Sequence, residues 1–156
     1  MNMFDLTGKV ALVTGGAHSI GFALGVGLAK AGATICFNSS NMESMEKGLE
    51  AYRQAGVDAH GYVADVTDEQ TVQNMAGRIR REVGAVDILV NNAGVIKRIP
   101  MTEMSVEDFS RVIDVDLIGP FICAKAVLPD MIKRGHGKII NVCSMMSELG
   151  RETVSA

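Results

Sequence analysis

The chain has 156 residues, 47% of them hydrophobic and 21% charged, which is enough apolar surface for one substantial core and too much for disorder. Its 15 Lys and Arg against 18 Asp and Glu leave a formal charge of -3, which offers no basic field to nucleic acid. Every apolar run is broken well short of the roughly 18 residues a bilayer span needs, and Met1 to Lys9 lacks the layout of a signal peptide. A soluble, cytoplasmic, single domain over residues 1–156 is expected, with neither nucleic acid nor membrane as partner.

In chain order, short apolar bursts alternate with longer amphipathic stretches, the layout of βαβ units around a parallel sheet. The bursts predict strands from Val10 to Val13, Thr34 to Phe37, Ala59 to Val63, Ile88 to Val90 and Lys138 to Val142. Ile20, Ala23, Leu24, Gly27, Leu28 and Ala31 predict a first helix by their spacing, ended at Gly32. Ser40 with Glu43, and Thr67 with Gln70, have the form of capping boxes opening the second and third helices. Ser105 with Asp108 opens a long helical region reaching Arg134, which Pro120 and Pro129 should kink or restart. The chain stops at Ala156, one loop past the fifth strand and without the helix that would close a further βαβ unit. The expected architecture is therefore a doubly wound α/β sheet of the Rossmann type, three-layer αβα, truncated after the fifth strand.

Cys36, Cys123 and Cys143 sit in apolar stretches without CxxC spacing and are expected to be small buried hydrophobes. His18, His60 and His136 belong to three different segments, so no metal site is expected.

The turn Thr14-Gly15-Gly16-Ala17-His18-Ser19-Ile20-Gly21 stands between the first strand and its helix. Glycines there let the backbone bend sharply and approach a ligand, while the helix start offers N–H groups to a phosphate. Gly15, His18, Ser19, Ile20 and Gly21 are thus candidates for a dinucleotide site. A carboxylate for the adenosine ribose is expected some 20 residues on, yet Asn38-Ser39 stands there. Neutral groups remove the repulsion of a 2′-phosphate, and His18 adds partial positive charge, which favours NADP(H) with NAD(H) as the alternative. Asp65-Val66 after the third strand and Asn92-Ala93-Gly94 after the fourth lie at carboxyl ends, where open parallel sheets bind ligands. Asp65 suits an adenine amino group, Asn92 can bond neighbouring backbone, and Gly94 leaves room for a ring. Asp114 and Asp116 flank Val115 in an apolar helix, so one of them is expected to be poorly exposed.

Thr14-Gly15 with Ile20-Gly21, Asp65-Val66, Asn91-Asn92-Ala93-Gly94 and Ser144 after the fifth strand resemble, in order and spacing, the short-chain dehydrogenase/reductase family. Ser19 stands where the family has a further glycine, and Asp116 where it has an asparagine that helps hold a water and the catalytic lysine. The stretches Val112 to Leu117, Lys97 to Met101 and Ile139 to Arg151 are similar to the family's gluconate 5-dehydrogenase subgroup, in which that aspartate is normal. The resemblance implies Ser144 and Asp116 in the catalytic machinery, Ser144 bonding the reacting oxygen. It places an acid/base tyrosine just after Ala156 and a lysine four residues further. It also implies a homotetramer through the long helix, and interconversion of D-gluconate and 5-dehydro-D-gluconate. A sugar-acid carboxylate needs a cation, for which Arg98 and Arg151 lie in suitable loops. The competing expectations are a 3-oxoacyl carrier-protein reductase or other polyol and keto reductase, and a nucleotide-binding module without turnover.

Overall fold

The computed structural model describes residues 4–149 and 153–154. Five parallel strands, β1 (Val10–Val13), β2 (Thr34–Ser39), β3 (Ala59–Val63), β4 (Ile88–Asn91) and β5 (Lys138–Asn141), form one sheet in the order β3-β2-β1-β4-β5. The connecting helices are α1 (Ser19–Lys30), α2 (Met42–Gln54), α3 (Glu69–Glu82), α4 (Val106–Ile113) and α5 (Gly119–Arg134). None of the described helices is long and apolar enough to cross a membrane.

Alternation along the strands builds two cores. Val10 and Leu12 of β1 face a cluster with Val72, Ile79, Ile122, Cys123 and Met131 from α3 and α5. Ala11 and Val13 face the opposite cluster, where Phe37 and Tyr52 are packed by Phe22, Leu24 and Leu49 from α1 and α2. The sheet is thus covered on both sides, and a strand buried on both faces is a continuous apolar run.

The first helix turns a different face inward from the one its hydrophobic spacing predicts. Gly21 and Gly25 are its buried residues, whereas Ile20 is 63% exposed. A side chain at Gly25 would strike the hydroxyl of Tyr52, which donates to the carbonyl of Gly16. Close backbone packing, invisible to a hydropathy pattern, orients α1. Two caps also shift by one residue: Asn41 accepts from Ser44 N–H, and Asp68 from the N–H groups of Gln70 and Thr71. Asx side chains reach a first-turn donor as well as a hydroxyl does, so the box-like pairs beside them are not the caps. Ser105 does cap α4, accepting from Asp108 N–H at 3.0 Å.

Between α4 and α5 the helix widens into a π turn, Asp114–Ile118, and Pro120 then stands in the first turn of α5. Pro129 is carried inside α5 without ending it. Asp114 and Asp116 are both exposed on the π turn, against the expectation that one would be poorly solvated. Cys36 and Cys123 are buried, but Cys143 is exposed because it follows β5, whose four residues are all exposed.

Candidate active site

Chain order reverses between β1 and its two neighbours, β2 and β4. The helices leaving β1 and β4 therefore pass to opposite faces, opening a crevice at the carboxyl ends of these strands. A cleft of about 340 Å³ lies there. Every residue singled out for the dinucleotide lines it: Gly15, His18, Ser19, Ile20, Gly21, Asn38, Ser39, Asp65, Val66, Asn92, Ala93 and Gly94.

The floor of the cleft is set by side chains that bond backbone. Thr14, 1% exposed, accepts from the N–H groups of Asn92 and Ala93, each at 3.0 Å. Asn92 answers by donating to the carbonyls of Thr14 at 3.0 Å and Gly15 at 3.3 Å. Beside it, Asn91 donates to Asn141 Oδ1 at 2.9 Å and so joins β4 to β5. Gly15 has φ of +60°, and a Cβ there would lie 3.0 Å from Ala93 Cα, so glycine meets both a left-handed backbone and a close approach.

The first turn of α1 is left open to an anion. His18 occupies the cap position without a side-chain capping bond, and no acidic residue lies in the turn. The N–H groups at such a start have no intrahelical acceptor, and the helix dipole adds positive potential. Ser19 reaches this geometry with φ of +52°, in the region where the family's glycine would be unstrained.

Asp65 spends one carboxylate oxygen locally, accepting from Thr67 N–H at 2.9 Å and Thr67 Oγ1 at 2.7 Å. The backbone N–H of Thr67 above all, with its hydroxyl and the Arg111 guanidinium, holds the carboxyl below its usual range against partial burial. The second oxygen faces Arg111 at 3.9 Å. Arg111 also lines the cleft with Val115 four residues on. Sequence reading missed it, although helical spacing puts Arg111 on the face of the buried Val115.

The residues expected to serve chemistry and substrate lie beyond this lining. Ser144 is exposed after β5, and its Oγ accepts from Met146 N–H at 3.1 Å. That bond fixes the oxygen and leaves the hydroxyl hydrogen to donate elsewhere. Asp116 Oδ1 accepts from Val95 N–H at 2.9 Å, tying the π turn to the loop after β4. Arg98 is exposed on that loop, which is held to the segment after β5 by Ile99 N–H donating to Thr153 O at 3.1 Å. Arg151 lies outside the described residues. Among the described residues no cluster of three or more His, Cys, Asp or Glu is placed to hold a metal.

Known proteins match this arrangement along nearly the whole chain. A 2-dehydro-3-deoxy-D-gluconate 5-dehydrogenase of Formosa agariphila is 48% identical over 157 residues, covering 100% of this chain and 60% of that protein. The crystal structure of 2-keto-3-deoxy-D-gluconate dehydrogenase from Streptococcus agalactiae is 60% identical with a TM-score of 0.84, over 98% of this chain and 57% of that one. A gluconate 5-dehydrogenase from Burkholderia cenocepacia, solved with NADP and tartrate, is 43% identical with a TM-score of 0.90, over 97% of this chain and 60% of that one. The chain thus spans about 60% of the length of the relatives it matches. The family model for short chain dehydrogenases matches residues 9–156. With the sheet order, the glycine turn and the Asn91-Asn92-Ala93-Gly94 floor all in their family positions, this chain belongs to the short-chain dehydrogenase family.

Proposed function

We propose that the chain is the cofactor-binding part of an NADP(H)-dependent oxidoreductase that interconverts a hydroxyl and a ketone at carbon 5 of a six-carbon sugar acid. D-gluconate and 5-dehydro-D-gluconate form the first substrate pair. The carrying observation is the cleft at the chain reversal, where an uncapped helix start meets a neutral strand end at Asn38-Ser39. These groups fit a dinucleotide: open N–H groups for the diphosphate, a glycine floor without Cβ atoms, and an ionised Asp65 with one oxygen still to accept from adenine. No carboxylate at the end of β2 would repel a 2′-phosphate.

A bound nicotinamide would take up or deliver the hydride. Ser144 would donate its free hydroxyl hydrogen to the substrate oxygen, which gathers negative charge as that bond changes order. Asp116, through Val95 N–H, holds the loop that forms the near wall, and Arg98 or Arg151 would clamp the carboxylate. The exposed apolar side chains Val106, Phe109, Leu117, Phe121 and Ile132 recur along α4, the π turn and α5, and suit a homotetramer packed on this face.

A second substrate, 2-dehydro-3-deoxy-D-gluconate, is favoured by the activities for which the 60% and 48% identical relatives are named. The carrier-protein reading loses support instead. It would need a basic docking patch, for which Lys97, Arg98, Lys133 and Arg134 are the candidates, but Lys97 is paired with Asp108 at 3.0 Å and Arg134 donates to Ala85 and Val86 carbonyls, so two of these four are spent within the chain.

Cofactor oxidation and reduction by the full-length protein, with D-gluconate, 2-dehydro-3-deoxy-D-gluconate and a neutral polyol, tests the proposal. Turnover of either acid with NADP(H), at about tenfold or more the kcat/KM of the polyol, is expected for a site with a paired cation. Equal rates on the polyol would overturn it.

A further inference from the structure

We propose that Asn38 is a positioning residue of the dinucleotide site: its amide locks the glycine turn to the end of β3, and discrimination at the adenosine ribose falls to Ser39. This rests on the reading of the cleft as a nicotinamide-dinucleotide site. Asn38 and Ser39 look interchangeable in sequence, two small neutral residues where a ribose-binding acid is expected. The structure separates them. Asn38 is 2% exposed, and both ends of its amide are consumed by backbone. Oδ1 accepts from Gly15 N–H at 3.1 Å, and Nδ2 donates to Ala64 O at 2.8 Å. Its own carbonyl accepts from Gly16 N–H at 3.2 Å.

The neighbours fix the chemistry required. One is an N–H, the other a carbonyl, so the side chain must present an acceptor and a donor at once. A carboxylate would serve Gly15 and set its second oxygen against Ala64 O, two acceptors in a buried place. An aliphatic residue would leave both groups unpaired. The acid that lets other dinucleotide sites hold a ribose hydroxyl is therefore incompatible with position 38. Ser39, the next residue and also on the cleft lining, has no such pair of obligations described.

The lock also divides the loop's donors. Gly15 and Gly16 N–H groups are already committed to Asn38, so the diphosphate is left with donors further along the turn and at the start of α1. Asn38 then acts on the phosphates through the turn, without touching them.

Calorimetric titration of NADPH and NADH into the full-length wild type, N38D and S39D tests this. N38D should weaken both cofactors by about tenfold, the cost of an unpaired buried group, and leave their ratio within about twofold. S39D should shift the ratio toward NADH by about tenfold while still binding one of them well. A ratio change in N38D like that of S39D, or wild-type affinity for both cofactors in N38D, would overturn the proposal. Should N38D fail to fold, amide exchange in the cofactor-free wild type decides. Gly15 and Gly16 N–H groups should exchange slowly and those of Ser19 and Ile20 fast, the latter slowing when NADPH is added. Fast exchange at Gly15 would sink the lock. Slow exchange at Gly15 with no binding of either cofactor would keep the lock and reject the dinucleotide reading.

Discussion

β1 and β5 are parallel strands of the same sheet and have 4 residues each, yet every residue of β1 is buried and every residue of β5 is exposed. β1 has strands on both sides and helices on both faces, while β5, among the described residues, is at the sheet edge and paired with β4 alone. The residues proposed for cofactor and chemistry follow the same division. The proposed adenosine side of the cleft, from Thr14 to Asn92, is held by bonds between buried or half-buried side chains and backbone. The proposed reacting side, Ser144 with Arg98, stands on exposed loops. In this chain, which spans about 60% of the length of its relatives, the buried half is held by its neighbours and the half after β5 has few of them, because preorganisation comes from neighbours and not from the strand itself.

Thiol reactivity probes that division most sharply and carries the largest expected effect. Cys36 and Cys123 are fully buried, and burial pushes each thiol up to about 12, whereas Cys143 is exposed. In this chain, a colorimetric thiol reagent at pH 8 should label Cys143 quickly. The other two should react at least about a thousandfold more slowly, through unfolded states populated at roughly 10⁻³ or below. Protection of Cys143 comparable to theirs would show that β5 is covered in solution and would break the contrast.

Ser144→Ala should come next in size. Removal of a donor aimed at developing charge lowers kcat by about 10²–10³, and the full-length variant should keep its NADPH affinity, since Ser144 is not on the cleft lining. A matching loss of cofactor affinity would mean that the two halves are coupled. Gly21→Ala probes the other half: a Cβ there would lie 2.5 Å from both Asn92 Nδ2 and the Gly15 carbonyl oxygen. Neither can yield without undoing the floor of the cleft, so denaturant unfolding should show a loss of about 1–3 kcal/mol. Wild-type stability would mean that the turn is looser than its bonds suggest.

The division also explains what the sequence made legible. Strand positions and the glycine turn follow from local patterns, and β1 and β3 begin and end where their apolar runs do. The roles of Asn38 and Thr14 depend on partners 23 to 79 positions away, which no local pattern encodes. The buried face of α1 was misread because glycine contributes nothing to a hydrophobic stripe, and the π turn at Asp116 carries no composition mark. Arg111 was passed over because an arginine on a helix is ordinarily solvated, and only the fold brings it to the cleft wall opposite Asp65.

Ser19 offers the smallest and most discriminating test, since it joins backbone strain to a candidate phosphate contact. Its φ of +52° lies where a Cβ crowds the following carbonyl, at a cost of roughly 1–2 kcal/mol. Ser19→Gly removes that crowding, but it also loosens the unfolded chain, which offsets about 0.4–1 kcal/mol of the gain. A net stabilisation of at most about 1.6 kcal/mol is expected by denaturant unfolding. Ser19→Ala keeps the Cβ and removes only the hydroxyl, which approaches His18 Nδ1 at 3.2 Å, so its stability should match the wild type. Cofactor titration then separates the two roles. If the hydroxyl donates to a phosphate oxygen, both variants should lose affinity by about tenfold or more, the worth of one hydrogen bond to a charged group. Equal stability of all three proteins would remove strain from the account of this turn. Wild-type affinity in Ser19→Ala would leave the diphosphate to the backbone N–H groups alone.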